Sequence, residues 1–386
     1  MTDFQRAAPL VIPCARGIVP FLQVELRDLG LPVTAAGAAS VSSRGTLVDA
    51  MRLNLHCRTG QHVYYQLDDF PAADQQELYR RLVAFPWEKY FSPDVYLSVS
   101  STVNNPTIRD GRLANLKAKD AIVDRLRRHY GRRPDSGPGR HGVVVHLYWQ
   151  GRRCHLYLDT SGESLARRGY RLEGGRAPLQ ETLAAAIALA AGWDGRGALV
   201  NPMCGSGTLI IEAAMLARRQ APGLGRRHFA FMHLRGFPRR QWRQLREEAR
   251  RRRLARLPGR LLASDLEAAA VDRARHNAAR AGLEELVEFA VADFAATEVP
   301  PTGGVLLVNP EYGERLGEVE ALRATYRRLG DFFKQRCPGY RAYLLTGSRE
   351  LAKEVGLRAS RRLPLFNGPL ECRLLEYELY RGSRRQ

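Results

Sequence analysis

Several features are scarce in this chain, and each scarcity closes off a class of function. Its six cysteines, Cys14, Cys57, Cys154, Cys204, Cys337 and Cys372, are scattered and form no C-x-x-C pair. Neither a zinc site nor a disulfide framework is suggested, no metal is expected, and a reducing compartment fits. Long apolar runs are missing. The best candidate, "TLAAAIALAAGW", falls well short of the roughly 20 residues that a bilayer span needs. The start, "MTDFQRAAPLVIPCARG", has an early acid and only a brief apolar run, unlike a secretion leader, so a cytoplasmic protein without a membrane partner is expected. No internal repeat of fixed period is present. Acidic residues are outnumbered: forty Asp and Glu face sixty Lys and Arg, giving +20 and a pI near 10.2. That surplus favours a polyanionic partner, most simply nucleic acid, although an arginine-rich surface facing water gives the same sum.

What is present points to a globular protein of more than one domain. The 386 residues are too many for one ordinary core, and 45% hydrophobic with 26% charged is a folded balance. From Leu179 onward, helical and strand patterns alternate. "PLQETLAAAIALAAGW", "TLIIEAAMLARR", "LEAAAVDRARHNAARAG" and "VEALRATYRRLGDFFKQR" read as helices, with Gly282 closing the third. "GALVNP", "RLLASD", "LVEFAVADF", "GGVLLVNP" and "YRAYLLTGS" read as strands. "RRLPLFNGPLECRLLEYELY" reads as two strands joined near Asn367-Gly368. The alternation predicts an α/β fold with a mostly parallel sheet, and the closing hairpin adds antiparallel pairing at one edge. An arginine-dense insertion between Arg218 and Arg260 interleaves Phe229, Phe231, Phe237 and Trp242; its aromatics either stack on bases or, as the favoured reading has it, pack inward.

Before Asp159 the pattern changes. "DVYLSVSST", "GVVVHLYW" and "RCHLYLDT" read as strands, "IVPFLQVELRDLG" and "NLKAKDAIVDRLRRHYG" as helices, which predicts one or two small α+β modules.

Chemistry concentrates in a few stretches. In "ALVNPMCGSGTLIIEAA" a strand runs through a short glycine loop into a helix, letting backbone N–H groups approach a ligand at the helix's positive end. It is no P-loop, for no Lys follows the glycines. Nor is it the dinucleotide pattern, for Ile210 stands where a third Gly is needed. An adenosyl ligand without a pyrophosphate suits such a loop. Asp265 and Asp293 each end a strand of the same sheet, where open α/β sheets bind ligands. Either can accept hydrogen bonds from ribose hydroxyls or an adenine amine, or simply cap a helix. "NPEY", Asn309 to Tyr312, ends a third strand.

In this order the motifs resemble the class I S-adenosylmethionine-dependent methyltransferases, specifically bacterial THUMP-domain enzymes acting on guanine N2 of 23S ribosomal RNA. "CARGIVPFLQVELRDLG" resembles the family's ferredoxin-like segment, "LKAKDAIVD" and "LYLDTSGESLARRGYR" its THUMP region and exit, and "APLQETLAAAIALAAGW", "NPMCGSGTLIIEAA", "NPEYGERLG" and "LFNGPLECRLL" its catalytic domain. The resemblance implies a ferredoxin-like segment over residues 1–50, a THUMP RNA-binding domain over 51–160, and a Rossmann-like methyltransferase domain over 161–386 with a seven-stranded sheet. It implies S-adenosylmethionine as cofactor and 23S rRNA, or a large-subunit precursor, as partner. Asn201 and Met203, Cys204, Gly205, Ser206, Gly207 and Thr208 are then cofactor residues, with Asp265 and Leu266 at the ribose and Asp293 and Phe294 at the adenine. Asn309, Pro310, Glu311 and Tyr312 are the catalytic set, and Asn309 also borders the cofactor. Lys117, Lys119, Arg167, Arg168 and Arg171 are candidate RNA contacts.

Two departures from the family pattern stand out. Asn201 replaces the usual Asp, and Glu311 replaces the second proline of Asn-Pro-Pro-Tyr. The first weakens any argument from a charge there; the second removes none of the groups that would hold a base amine, namely the Asn309 side-chain oxygen, the Pro310 carbonyl and the Tyr312 ring. Three other readings stay open at this stage: a tRNA guanine-N2 enzyme, a DNA adenine amine methyltransferase, and an RNA-binding assembly factor with reduced methyl transfer.

Overall fold

The computed structural model describes residues 3–108, 110–171, 179–312 and 316–380. Two compact units emerge: residues 1–14, 22–165 and 226–248 form one, and 15–21, 166–225 and 249–386 the other.

The first unit contains β1 (Ala8–Pro13), most of α1 (Val19–Asp28), β2 (Ala35–Ala36), β3 (Ser40–Gly45), α2 (Leu47–His56), β4 (Tyr64–Pro71), α3 (Gln75–Ala84), β5 (Leu97–Asn104), α4 (Gly111–Tyr130), β6 (Val143–Gln150) and β7 (Arg153–Asp159). One seven-stranded sheet joins them in the order β2-β3-β1-β4-β7-β6-β5. β4 pairs antiparallel with both β1 and β7, so the two α+β modules expected here share a sheet instead of standing apart. α4 starts where the Asp110 carboxylate accepts the Arg112 N–H and stops at left-handed Gly131. Its buried face is Ala114, Ala118, Ala121, Ile122 and Leu126, a spacing of three and four that turns Lys117 to solvent.

In the second unit lie α5 (Glu181–Ala191), β8 (Ala198–Pro202) and α6 (Thr208–Ala217); α7 (Arg239–Arg251) runs through the insertion. β9 (Arg260–Asp265), α8 (Ala268–Arg280), β10 (Val287–Val291), β11 (Gly304–Val308), α9 (Leu316–Arg336), β12 (Tyr340–Thr346), α10 (Arg349–Glu354), β13 (Arg361–Asn367) and β14 (Leu370–Glu378) follow. The sheet order is β10-β9-β8-β11-β12-β14-β13. The first five strands are parallel; β14 and β13 join antiparallel. This is the Rossmann-like class I methyltransferase arrangement expected from the sequence. β8 is buried throughout and β11 nearly so, as parallel strands covered on both faces must be. Strand order reverses beside β8, so the ends of β8, β9 and β11 form the crevice where such sheets bind ligands.

The insertion's aromatics pack inward. Phe229 and Phe231 are fully buried, Trp242 nearly so, and their rings meet at 5.0–5.4 Å. Among the described residues no helix is long and apolar enough to cross a membrane.

Candidate active site

At the end of β8 the chain turns through Met203, which adopts φ 69°, and Gly205 at φ 56°, before Gly207 at φ 80° opens α6. Gly207 suits glycine twice over, by its left-handed φ and because a Cβ there would lie a tight 3.0 Å from Ala274 Cβ. Beyond the Cα of Gly205 lies open space. The loop is held from outside. The Asp265 carboxylate accepts the Gly205 N–H at 2.8 Å, Cys204 N–H donates to the Ser264 carbonyl, and Asn277 Nδ2 donates to the Ser206 carbonyl. Burial, with Asp265 nearby, pushes the Cys204 thiol up to about 12, so it stays protonated and serves as packing. Asn277 carried no recognisable signal in the sequence.

The strand-end acids differ. Asp265 takes one bond from Gly205 N–H and one from Glu267 N–H, which leaves lone pairs on each oxygen for further donors. Next to it Leu266 is 70% exposed, and Val291, its strand neighbour's terminal residue, is 57% exposed. Exposed large apolar groups beside a carboxylate are what an adenosine needs: a face for the base and an acceptor for the ribose. Val291 was not among the residues singled out from sequence. Asp293 is already engaged. Its carboxylate receives Arg328 Nη2 at 2.8 and 2.9 Å and the Ala295 N–H at 2.9 Å. Burial alone would raise its pKa, but the bonds from Arg328 and Ala295 outweigh this and hold it below the usual carboxylate range. Phe294 is buried against Phe332, with the Arg328 guanidinium 4.9 Å from its ring centre.

β11 carries the second half of the site. Asn201, fully buried at the end of β8, donates its Nδ2 to the Leu307 carbonyl at 2.7 Å. A carboxylate could not make that bond; the Asn201 Oδ1 has no hydrogen-bond partner among the described residues. Asn309 follows Val308 directly, and among the described residues its buried Oδ1 has no hydrogen-bond partner. Pro310 is buried and Glu311 is exposed, its side chain at the surface while its carbonyl accepts from Tyr326 Oη at 3.2 Å. Tyr312 is half-buried, and Asn367 Nδ2 donates to its hydroxyl at 3.2 Å. Thus Asn367, read from sequence only as a turn residue, fixes one end of the aromatic ring.

The five basic candidates divide. Lys117 and Arg167 are exposed, and Lys119 is half-buried, 3.4 Å from Asp120. Arg168 must be corrected: it is 3% exposed and its guanidinium meets buried Glu212 at 3.3 Å, so it cannot reach RNA. Arg171 is turned inward too, donating to the Leu179 carbonyl and to Thr208 Oγ1 at 2.8 Å, and lying 3.4 Å from Glu181. Both arginines brace the helix that follows the glycine loop. Among the described residues no group of three or more His, Cys, Asp and Glu is placed to hold a metal ion.

Comparison with known proteins gives the family of the chain. Residues 168–376 match the family described as RMKL-like, methyltransferase domain; residues 9–64 match the RlmL ferredoxin-like domain and 72–159 the THUMP domain. A ribosomal RNA large subunit methyltransferase K/L of Syntrophotalea carbinolica is 40% identical over 375 residues, which are 94% of this chain and 52% of that protein. The chain thus spans about half the length of such curated relatives. A Synechocystis protein provisionally named an RNA methyltransferase is 36% identical, covering 96% of this chain and 97% of its own. The crystal structure of SMU.472, provisionally named a methyltransferase and complexed with SAH, superposes with a TM-score of 0.87 at 29% identity over 98% of this chain and all of that one.

Proposed function

The chain belongs to the RMKL-like methyltransferase family, and from that premise we propose that it methylates the exocyclic N2 amine of a guanosine in 23S ribosomal RNA. The methyl donor is S-adenosylmethionine, and the setting is the cytoplasm. The observation that carries this reading is the place of Asn309 at the open end of β11, beside the strand that opens into the glycine loop, with an Oδ1 that, like that of Asn201, has no hydrogen-bond partner among the described residues. A buried acceptor left unsatisfied is costly to the fold, about 1–3 kcal/mol, and a donor arriving with the substrate removes that cost. The main chain from Met203 to Thr208 and the Asp265 carboxylate would hold the cofactor, with Leu266, Val291 and Phe294 around its base. When bound it supplies an electrophilic sulfonium methyl.

This chain's residues then act on the amine. A purine amine is a weak nucleophile because its lone pair is delocalised into the ring. Acceptors on both hydrogens, Asn309 Oδ1 and the Pro310 carbonyl, localise that pair on nitrogen and aim it. Tyr312 stacks on the base and fixes its plane, its own hydroxyl held by Asn367. Holding the amine in line is the main source of rate. A paired guanosine must first leave its helix to reach such a pocket. Glu311 acts as a spacer: its carbonyl is used by Tyr326 and its carboxylate faces solvent. We assign RNA grip to residues 1–160 and chemistry to 161–386. Transfer of labelled methyl groups from S-adenosylmethionine to protein-free 23S rRNA, bulk tRNA and DNA tests the reading. Label in N2-methylguanosine of 23S rRNA is expected; label confined to tRNA or to adenine in DNA would overturn it.

A further inference from the structure

Next to Tyr312, in the same unit, a cleft of about 420 Å³ opens between α10 and the β13–β14 hairpin. This lies in the range of small-ligand sites, about 300–1,000 Å³. Arg349, Lys353, Arg362 and Arg373 line it, with Glu371 as its one acid. Glu371 lies 4.0 Å from Arg349 and is matched by it. Among the described residues no carboxylate is within ion-pair distance of Lys353, Arg362 or Arg373. Three like charges gathered at one opening repel one another; an anion between them offsets that repulsion.

The cleft is contiguous with the proposed base pocket. β12 pairs with β11, and its Thr346 lies opposite Arg373 of β14. Gly347 comes next and lines the cleft, and a Cβ built on it would sit 3.1 Å from Tyr312 Cδ2. One glycine is therefore the wall between Tyr312 and the cations. The cleft offers no exposed aromatic face, since Tyr377 at its floor is only 2% exposed; Leu357 supplies apolar surface instead. Such a site can take a phosphate and ribose, which position a strand without reading its sequence.

We propose that this cleft holds the phosphate and ribose of a nucleotide flanking the target guanosine. The inference rests on the RNA reading above. The test uses the full chain with S-adenosylhomocysteine and two probes, a fluorescein-labelled single-stranded RNA 20-mer containing guanosines and protein-free 23S rRNA. In Arg362→Ala/Arg373→Ala the Kd for RNA is expected to rise about tenfold near 0.1 M salt, and the log–log salt slope to shrink by about 1.4, or about 0.7 per contact. S-adenosylhomocysteine affinity and Tm stay at wild-type values, and Arg362→Lys/Arg373→Lys recovers most of the loss. Arg336→Ala/Arg341→Ala removes the same charge at the opposite end of β12 and leaves the slope unchanged. Should the double alanine variant melt early, exposed Lys353→Ala carries the test with half the slope change. Unchanged Kd and slope in the cleft variants, or an equal loss in the control, would overturn the cleft while leaving the RNA reading standing. Failure of the unaltered chain to bind either RNA would overturn both.

Discussion

Asp293 and Asn309 occupy the same rim of the same sheet, yet their polar atoms meet opposite fates. Asp293 is consumed by the protein, its carboxylate bonded twice to Arg328 and once to the Ala295 N–H. Asn309 keeps a buried Oδ1 that nothing among the described residues satisfies. A polar residue at a strand end is thus a poor guide to function by itself. A missing partner is not decisive alone, since the Oδ1 of Asn201 shares it; unlike fully buried Asn201, Asn309 is half-buried at the open end of its strand, where a ligand can meet it.

The sharpest way to break that comparison is to remove the unmatched group. Asn309→Ala should lower methyl transfer at least about a hundredfold, on the scale of losing one preorganised hydrogen-bonding group at a reacting centre, while S-adenosylmethionine affinity by calorimetry stays intact. Undiminished transfer would remove the mechanistic claim. Asp265→Ala comes next. Asp265 is partly matched, so the loss of a charged acceptor for ribose should weaken cofactor binding by about 1.5–3 kcal/mol; unchanged affinity in a folded variant would leave Asp265 as a loop brace alone. Tyr312→Ala should cost productive RNA engagement about 1–3 kcal/mol, the worth of one stacked base, seen as a higher KM and lower kcat. Asp293→Ala is the counter-case. It should reduce folding stability by about 1 kcal/mol, as a lost cap does, and leave cofactor affinity within about threefold; a large loss of affinity would show that Arg328 yields Asp293 to the ligand. Glu311→Pro should have the smallest effect. A fall in activity beyond about tenfold, roughly 1.4 kcal/mol in the barrier, would make Glu311 part of the site rather than a spacer.

The C-terminal half of the fold was legible because its strands are covered on both faces and so read as apolar runs, β8 and β11 above all. The N-terminal half was less so, for local reasons. β4 mixes adjacent Asp68 and Asp69 with Tyr64 and Phe70, ends in Pro71, and shifts register between Gln66 and Asp68, which erases the period-two pattern of a strand. α2 opens with a capping box of Thr46 and Asp49, in which the shorter Asp stands for the usual Glu or Gln, and it was not recognised. In the candidate site, the glycine loop and "NPEY" stand out in the sequence because their residue types are rare in that order. Arg168 and Arg171 were misjudged as surface cations because their partners, Glu212 and Thr208, lie 44 and 37 residues away. Side-chain contacts over such distances leave no local trace. Asn367 likewise looked like turn chemistry, while its side chain reaches Tyr312 across the sheet's end.

The central claim is that an unmatched Asn309 acceptor serves guanine N2 in ribosomal RNA. Mass mapping of N2-methylguanosine in 23S rRNA from a strain lacking this chain tests it most directly, with wild-type and Asn309→Ala copies restored in parallel. The account predicts that one guanosine loses its methyl group, regains it with the wild-type chain, and stays unmodified with Asn309→Ala. An unchanged set of N2-methylguanosines in the 23S rRNA of the deletion strain, or full restoration by Asn309→Ala, would contradict it.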